Sequence, residues 1–559
     1  MSSYALQSIV DLARICALKG ISNAVLCPGS RCAPLIIAFS RQPSIRSWSV
    51  TDERTAGFIA LGMAQATQKP VAVVCTSGTA ALNLSPAIAE AYYQNIPLLV
   101  LTADRPPEWI DQLDGQTIRQ AEIYRNHVKK SYQLPVDYEN VDSQWYINRI
   151  TNEAINLATS FPPAPVHINV PIREPFYPKV EDRVQIDNSV RIFNEYIPTC
   201  KYSLPDELIK IWQSSSRKLL VLGQLLPCRF LIDVLENFPA VIVGDIISNT
   251  HFSQKTIRNQ DAFLCDNDLN IQNLVPDLLI TVGNSLISKN LKIFLRKNNF
   301  QHWHIQPHGE VADTFQKLSA VVRAEPFEFL RELSQIFSWQ NPDFALAWNQ
   351  KDMTAESVKK EYFQSQPFSE FEAVAALMRQ LPQNAVLHLA NSMPVRYANF
   401  VGLSATQQVE VFANRGTSGI DGCTSTAIGH AIVTPHKQHF LLIGDIAFFY
   451  DRNAFWLRHL PQNFHIVLLN NQGGGIFRMI EGPDRLPELE FLETSHSLNA
   501  QMLCHEFSVQ YFSVRTKEQL YENLEHFLNS NAISLLEIFT DKSVNKEVFK
   551  NYLRVVRSF

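Results

Sequence analysis

The stretch HFLLIGDIAFFYDRNAFWLRHLPQNFHIVLLNNQGGGIF (439–477) contains two apolar runs that each end on polar residues. HFLLIG (439–444) runs into Asp445, and HIVLL (465–469) runs into Asn470, Asn471 and three glycines. Between them, NAFWLRHLP (453–461) has the short amphipathic pattern of a helix. A strand–helix–strand unit of this kind belongs to a parallel sheet and sets both polar ends on one sheet edge. A strand-end carboxylate and a strand-end carboxamide in one crevice make two hard oxygen ligands, and Gly473 adds a backbone carbonyl that no side chain obstructs. With phosphate oxygens completing the shell, the local reading is Mg²⁺ on a diphosphate, with N–H groups of the glycine-rich turn aimed at the same anion. The alternative is a polar turn in which Asp445 caps the following helix.

The same style recurs along the chain. SNAVLCPGSR (22–31), KPVAVVCTSGTAAL (69–82), IPLLVLTADRPPE (96–108) and APVHINVPIREP (164–175) read as strands running into turns. KLLVLGQL (218–225), AVIVGDIIS (240–248) and DLLITVGNSL (277–286) follow, then NAVLHLANSMPVRYANF (384–400), VEVFANRGTSGIDG (409–422) and AISLLEIFTD (532–541). Near-continuous Val/Ile/Leu runs separated by helical periods mean parallel sheets covered on both faces. The expected fold is three consecutive α/β domains with mainly parallel central sheets, over 1–180, 189–345 and 346–559. The charged stretch FYPKVEDRVQIDN (176–188) is expected to be a linker. The polar stretch 347–370 carries helix formers and bridges to the last domain. Gly244–Asp245–Ile246 repeats the GDI of the opening stretch, yet no Asn-Asn-x-Gly run lies near Ile271, 26 residues past Asp245. The central domain also lacks GxGxxG, so no cofactor motif is evident there.

The bulk numbers bound the class. A chain of 559 residues exceeds one hydrophobic core, and its composition, 46% hydrophobic and 18% charged, is that of an ordinary soluble protein. A net charge of −5 without a basic block argues against a nucleic-acid partner. The nine cysteines form no CxxC pair and read as buried thiols of a reducing compartment. Asp11 and Arg14 interrupt the N-terminal apolar pattern, so no signal peptide is expected, and no apolar run reaches the length of a membrane span. The expected location is the cytoplasm.

Glu53, in SVTDERTAGFIALGMAQAT, opens a helix that is otherwise mostly small and apolar. It is either a partner of the N-terminal cap or a buried acid suited to relay a proton, and Asp52 beside it is the more obvious cap. TSGIDG (417–422) permits close approach of a flat ligand or of a neighbouring helix. The solitary histidines His127, His388, His430 and His496 are expected to be structural or surface residues.

Taken together, DERTAGFIALGMA, CTSGTAALNLSPAIAEA (75–91) and GD followed 26 residues later by NNQGG resemble thiamine-diphosphate enzymes of the decarboxylase and synthase kind. The family signature begins GDG, whereas this chain has Ile446 at the third position. CPGSRCAPL (27–35), TADRPPEWIDQLDGQTIRQ (102–120), NSMPVR (391–396), NRGTSGIDG (414–422) and NNQGGGIF (470–477) resemble one branch in particular. That branch forms 2-succinyl-5-enolpyruvyl-6-hydroxy-3-cyclohexene-1-carboxylate in menaquinone biosynthesis, and it too lacks the third glycine.

The resemblance implies a transferase using thiamine diphosphate with Mg²⁺, or Mn²⁺ in its place. The implied reaction is decarboxylation of 2-oxoglutarate and Stetter-like 1,4-addition of the succinyl carbanion to isochorismate, with loss of CO₂. Asp445, Asn471 and the Gly473 carbonyl are the implied metal ligands. Glu53 is the implied acid at the cofactor's pyrimidine, Ile420 the wedge that bends the cofactor, and Ile476 and Phe477 its apolar cover. Ser77, Gly78, Gly444 and Ile446 are further implied cofactor contacts. Arg31, Arg105, Gln116, Lys289, Ser392, Arg396 and Arg415 are implied substrate-binding positions, with Arg31, Arg396 and Arg415 also in catalytic roles. Both substrates are dianions, and the planar fork of arginine suits a carboxylate; the alternative for each arginine is a surface charge or salt bridge, such as Arg105 with Asp104. Also implied is a homo-oligomer, dimer or tetramer, with active sites shared between subunits. The runner-up is another thiamine-diphosphate carboligase or decarboxylase. Converging arginines and the absence of adjacent histidines favour carboligation of charged substrates.

Overall fold

The apolar runs become strands of three six-stranded sheets, each all parallel. The first holds β1 (Asn23–Leu26), β2 (Arg46–Ser49), β3 (Val71–Cys75), β4 (Leu98–Asp104), β5 (Ser131–Gln133) and β6 (Val166–Pro171), in the order β2-β1-β3-β4-β6-β5. The second holds β7 (Lys218–Leu222), β8 (Val241–Gly244), β9 (Thr256–Ile257), β10 (Leu278–Val282), β11 (Gln301–Ile305) and β12 (Leu318–Val322), in the order β12-β11-β10-β7-β8-β9. The third holds β13 (Val386–Leu389), β14 (Glu410–Ala413), β15 (His439–Gly444), β16 (Phe464–Asn470), β17 (Gln510–Val514) and β18 (Ser534–Phe539), in the order β14-β13-β15-β16-β18-β17. The first and third sheets therefore share one topology, while the second has the order of a doubly wound dinucleotide fold. Three such sheets fit the expected run of three α/β domains.

The computed structural model describes residues 6–179, 182, 184–186, 190–196, 204–264, 269–480 and 482–558. It divides into two compact units, one of Met1–Pro198, Asn414–His436 and Phe449–Gln462, the other of Thr199–Ala413, Lys437–Phe448 and Asn463–Phe559. No helix among the described residues is long and apolar enough to cross a membrane. The expected linker at 176–188 lies partly outside the described residues; its described part has neither helix nor strand, and Phe176 and Val184 pack against the core of the first sheet.

In the second unit, the 347–370 stretch belongs as far as Tyr362 to the Pro342–Tyr362 helix, which does more than bridge. Trp348 is fully buried, its ring centroid 5.7 Å from that of Phe263 and 6.3 Å from that of Phe294, while the Tyr362 hydroxyl donates to the Val548 carbonyl at 2.6 Å. The second and third sheets thus share one continuous apolar core.

The helix expected at 453–461 does not form. The chain turns helical directly at Asp445, over Asp445–Tyr450, and then makes only a short 3₁₀ turn, Arg452–Phe455. Asp451 explains the break: its fully buried carboxylate accepts from the Ser425 N–H and hydroxyl, both at 2.7 Å, and Trp456 beyond it is exposed.

The second GDI shows why that tripeptide alone proves little. Asp245 is buried, and its two oxygens accept from Gln260 Nε2 (3.0 Å), the Ser288 N–H (3.1 Å), the Ile287 N–H and the Ser288 hydroxyl. Three of these four bonds fasten the start of the Lys289–Lys297 helix, and the fourth holds Gln260. Asp245→Ala would strand these donors, and a loss of about 3–5 kcal/mol is expected. Urea unfolding checks this; an unmoved midpoint would contradict the fastening role.

Candidate active site

β15 and β16 pair in register through Gly444 and Leu469, so Asp445 and the Asn470–Asn471 pair emerge at neighbouring strand ends. Asp445 is buried; Oδ1 accepts from the Ile446 N–H (2.7 Å) and Oδ2 from the Gly473 N–H (2.9 Å). Burial pushes this carboxyl up, opposed by the Gly473 amide, His496 and the Ile446 amide. Its bonds differ in kind from those of Asp245, since they come from the glycine turn and from its own neighbour.

The two asparagines have separate jobs. Asn470 is structural: its Nδ2 donates to Glu537 Oε1 (2.7 Å) and the Leu498 carbonyl (3.0 Å), and its Oδ1 accepts from the Gln472 N–H (3.0 Å). Asn471 donates from Nδ2 to Glu370 Oε1 at 2.7 Å, and its Oδ1 is buried without a hydrogen-bond partner among the described residues. A buried carboxamide oxygen with no donor costs free energy, and a cation or donor group of a ligand relieves it. Glu370 is itself 2% exposed, and burial pushes its carboxyl up to about 7, against the lowering bond from Asn471 and alongside the charge of Asp445. By holding the amide nitrogen it fixes which end of Asn471 is left for a ligand.

Gly473 could not be another residue. A Cβ there would lie 2.8 Å from the Glu493 carbonyl and 2.7 Å from Lys542 Nζ, and φ is +156°. Glu493 also accepts from the Gly474 N–H at 2.7 Å through its carbonyl and pairs through its carboxylate with Arg478, so the turn is braced from behind. One carboxylate, one partnerless carboxamide oxygen and a bare backbone turn fit a hard divalent cation carrying phosphate. Ile476 and Phe477 follow on the short Ile476–Met479 helix, half-buried.

Also in this unit, Ser392 (φ +76°) opens the Met393–Val401 helix and accepts at its carbonyl from Arg396 Nη1 at 2.5 Å. Lys289 is exposed at the first position of its helix, where the macrodipole disfavours a cation.

In the first unit, Arg31 is 7% exposed; Nη1 donates to the Ile172 carbonyl (2.7 Å), the guanidinium lies 4.5 Å over Phe176, and Nε is buried without a partner among the described residues. Burial lowers its pKa first and the neighbouring Arg105 lowers it further, opposed by the charges of Glu174, Asp114 and Asp104. Arg105 pairs with Asp114 (Nε to Oδ2, 2.5 Å), not with Asp104, whose carboxylate accepts from the Arg105 N–H and from Asn169, both at 2.7 Å. The carbonyl of Gln116, an exposed residue with φ +59°, accepts from the buried Ser77 hydroxyl (2.9 Å), and the Gly78 N–H donates to Gln120 Oε1 (2.7 Å).

Glu53 is half-buried at the start of the Glu53–Thr67 helix and accepts from Asn83 Nδ2 at 3.2 Å. Asp52 is the cap, its Oδ1 accepting from the Arg54 (2.9 Å) and Thr55 (3.2 Å) N–H groups. This helix packs backbone-to-backbone on the Cys423–Val433 helix: a methyl at Gly62 would overlap the Thr426 carbonyl, and one at Gly429 the Ile59 carbonyl. Small residues in both stretches therefore answer to helix packing. Arg415 and Ile420 are half-buried on the loop leading into the second helix.

His496, expected to be structural or at the surface, lies beside Asp445. Its Nε2 lies 3.4 Å from Asp445 Oδ2, and the side chain is largely buried. His388 is buried beside His439, with Nε2 3.2 Å from Nδ1, and His127 packs edge-on against Tyr92 and Tyr93.

Comparison with known proteins agrees with this geometry. The family described as "Thiamine pyrophosphate enzyme, N-terminal TPP binding domain" matches residues 10–125, and "Middle domain of thiamine pyrophosphate" matches residues 218–389. A 2-succinyl-5-enolpyruvyl-6-hydroxy-3-cyclohexene-1-carboxylate synthase of Cytophaga hutchinsonii is 45% identical over 99% of both chains. Proteins of the same name from Flavobacterium johnsoniae (40% identical, 98% of both chains) and Bacteroides fragilis (38%, 99% of both) also match. The chain belongs to the 2-succinyl-5-enolpyruvyl-6-hydroxy-3-cyclohexene-1-carboxylate synthase family of thiamine-diphosphate-dependent transferases.

Proposed function

We propose that this chain joins the succinyl unit of 2-oxoglutarate to isochorismate with loss of CO₂, using thiamine diphosphate and Mg²⁺. The observation that carries the metal and diphosphate assignment is the buried, partnerless Oδ1 of Asn471 at the strand end beside Asp445. Bound thiamine diphosphate supplies the nucleophilic carbon and the electron sink for decarboxylation and carbon–carbon bond formation. Asp445, Asn471 and the Gly473 carbonyl hold the metal on the diphosphate. Glu53 holds the proton at the pyrimidine ring, while Ile420, Ile476 and Phe477 shape and cover the cofactor. Gly444, Ile446, Ser77 and Gly78 complete its contacts. The apolar cover of Ile420, Ile476 and Phe477 would keep water from the reacting carbon.

The arginines bind the two dianions. Arg31 is buried and senses the charge of Arg105, and its buried Nε lacks a hydrogen-bond partner among the described residues, a donor that an incoming carboxylate satisfies. Arg396, Arg415, Lys289, Ser392 and Gln116 provide the remaining substrate contacts. Replacing Arg396 or Arg415 by alanine is expected to cost about 2–5 kcal/mol in kcat/KM. If the kinetics of neither substrate moved, the carboxylate-clamp assignment would be wrong.

Glu53 belongs to one compact unit and Asp445 to the other, and the family resemblance puts the two halves of each site on different chains. The working form is therefore a homo-oligomer, dimer or tetramer, in the cytoplasm. Its monomeric fraction, separated by size-exclusion chromatography, is expected to be inactive; an active monomer would contradict shared sites.

A further inference from the structure

The loop that carries Arg415 and Ile420 is fastened by a carboxylate that has no role in the site so far. Glu90 lies in the Ser85–Gln94 helix and is 1% exposed. Oε1 accepts from the Gly416 N–H (2.8 Å) and from Gln94 Nε2 (2.6 Å); Oε2 accepts from the Thr417 N–H (2.7 Å) and the Thr417 hydroxyl. Gln94 in turn accepts from Gln65 Nε2 at 3.3 Å, and Gln65 lies in the last turns of the helix that Glu53 opens. The start of the loop is tied separately, through Asn414 Nδ2 to Thr426 Oγ1 at 2.9 Å. Two successive backbone N–H groups on one carboxylate fix the peptide planes on either side of Gly416, and with them the direction in which Arg415 leaves the chain.

We propose that Glu90 is a positioning residue for the reaction, setting the Arg415–Ile420 loop so that a substrate carboxylate and the cofactor meet preplaced groups. The inference rests on the assignment of Arg415 to substrate and Ile420 to cofactor. A carboxylate is required because both oxygens face N–H donors. Glutamine would keep one acceptor and turn an NH₂ group against the other donor, whereas a residue serving only as core filling would tolerate that isosteric exchange.

The test is a double-mutant cycle on the holoenzyme, combining Glu90→Gln with Arg415→Ala, together with amide hydrogen exchange at Gly416 and Thr417. Glu90→Gln is expected to speed exchange at both amides and to lower kcat/KM about tenfold or more, mainly through KM. In the Arg415→Ala background the same replacement is expected to change kcat/KM by less than about twofold, because the group it positions is already gone. An equal loss in both backgrounds would overturn positioning through Arg415, and unchanged exchange would overturn the fastening itself. If Arg415→Ala alone leaves both substrates' kinetics intact, the substrate assignment fails, a result the exchange data do not depend on. Should Glu90→Gln not fold, Glu90→Asp, one methylene short of both amides, goes through the same cycle with the same criteria.

Discussion

Glu53→Gln is expected to lower turnover by about 10²–10⁴-fold while leaving folding and metal binding intact. The structure makes this exchange clean. Capping of the Glu53–Thr67 helix falls to Asp52, so the first turn keeps its acceptor. The single bond from Asn83 Nδ2 can pass to the glutamine oxygen. What is lost is the capacity to hold and release a proton. Unchanged turnover, with thermal unfolding as the control, would remove Glu53 from the chemistry.

Asp445→Asn is expected to weaken Mg²⁺-dependent retention of thiamine diphosphate by at least about 100-fold, more than loss of an outer-shell partner costs elsewhere. The replacement keeps the size of the side chain but turns one acceptor into a donor, and the Ile446 and Gly473 N–H groups both need acceptors. Titration of the cofactor at fixed Mg²⁺, followed by circular dichroism, measures the effect. Stripping the native enzyme with a chelator and restoring Mg²⁺ gives the reversible counterpart. Asp245→Ala is the matched control: it should lower stability and leave the Mg²⁺ requirement alone. Equal cofactor affinity in Asp445→Asn and native protein would sink the metal assignment.

The sheets were legible where strands are buried on both faces. β3, β4, β7, β10, β15 and β16 show as continuous apolar runs because every residue, or all but the last, is buried. The strands without a sequence signal are mostly at sheet edges: β2 (RSWS), β5 (SYQ), β9 (TI), β12 (LSAVV) and β17 (QYFSV). An edge strand is short or faces solvent on one side, so it carries polar residues that erase the period. The strand-end Asp445 and Asn471 stood out because polar residues interrupt apolar runs there. Glu370 did not, since an acid in the first turn after Ser369 reads as ordinary capping, and the Ser369 side chain does accept from the Glu372 N–H. Glu90 and His496 became visible only through their partners, which lie 326 and more positions away in one case and 51 in the other. The helix expected at 453–461 failed because the buried bond of Asp451 to Ser425, a contact between distant segments, overrides local amphipathicity.

The most direct test of the central claim uses the purified protein with thiamine diphosphate and Mg²⁺, following CO₂ release from 2-oxoglutarate and loss of isochorismate together. Consumption of the two in equal amounts, with little CO₂ when isochorismate is withheld, is the predicted result. CO₂ release at the same rate with and without isochorismate would contradict it, and would make this site a 2-oxoacid decarboxylase or a carboligase for a different acceptor.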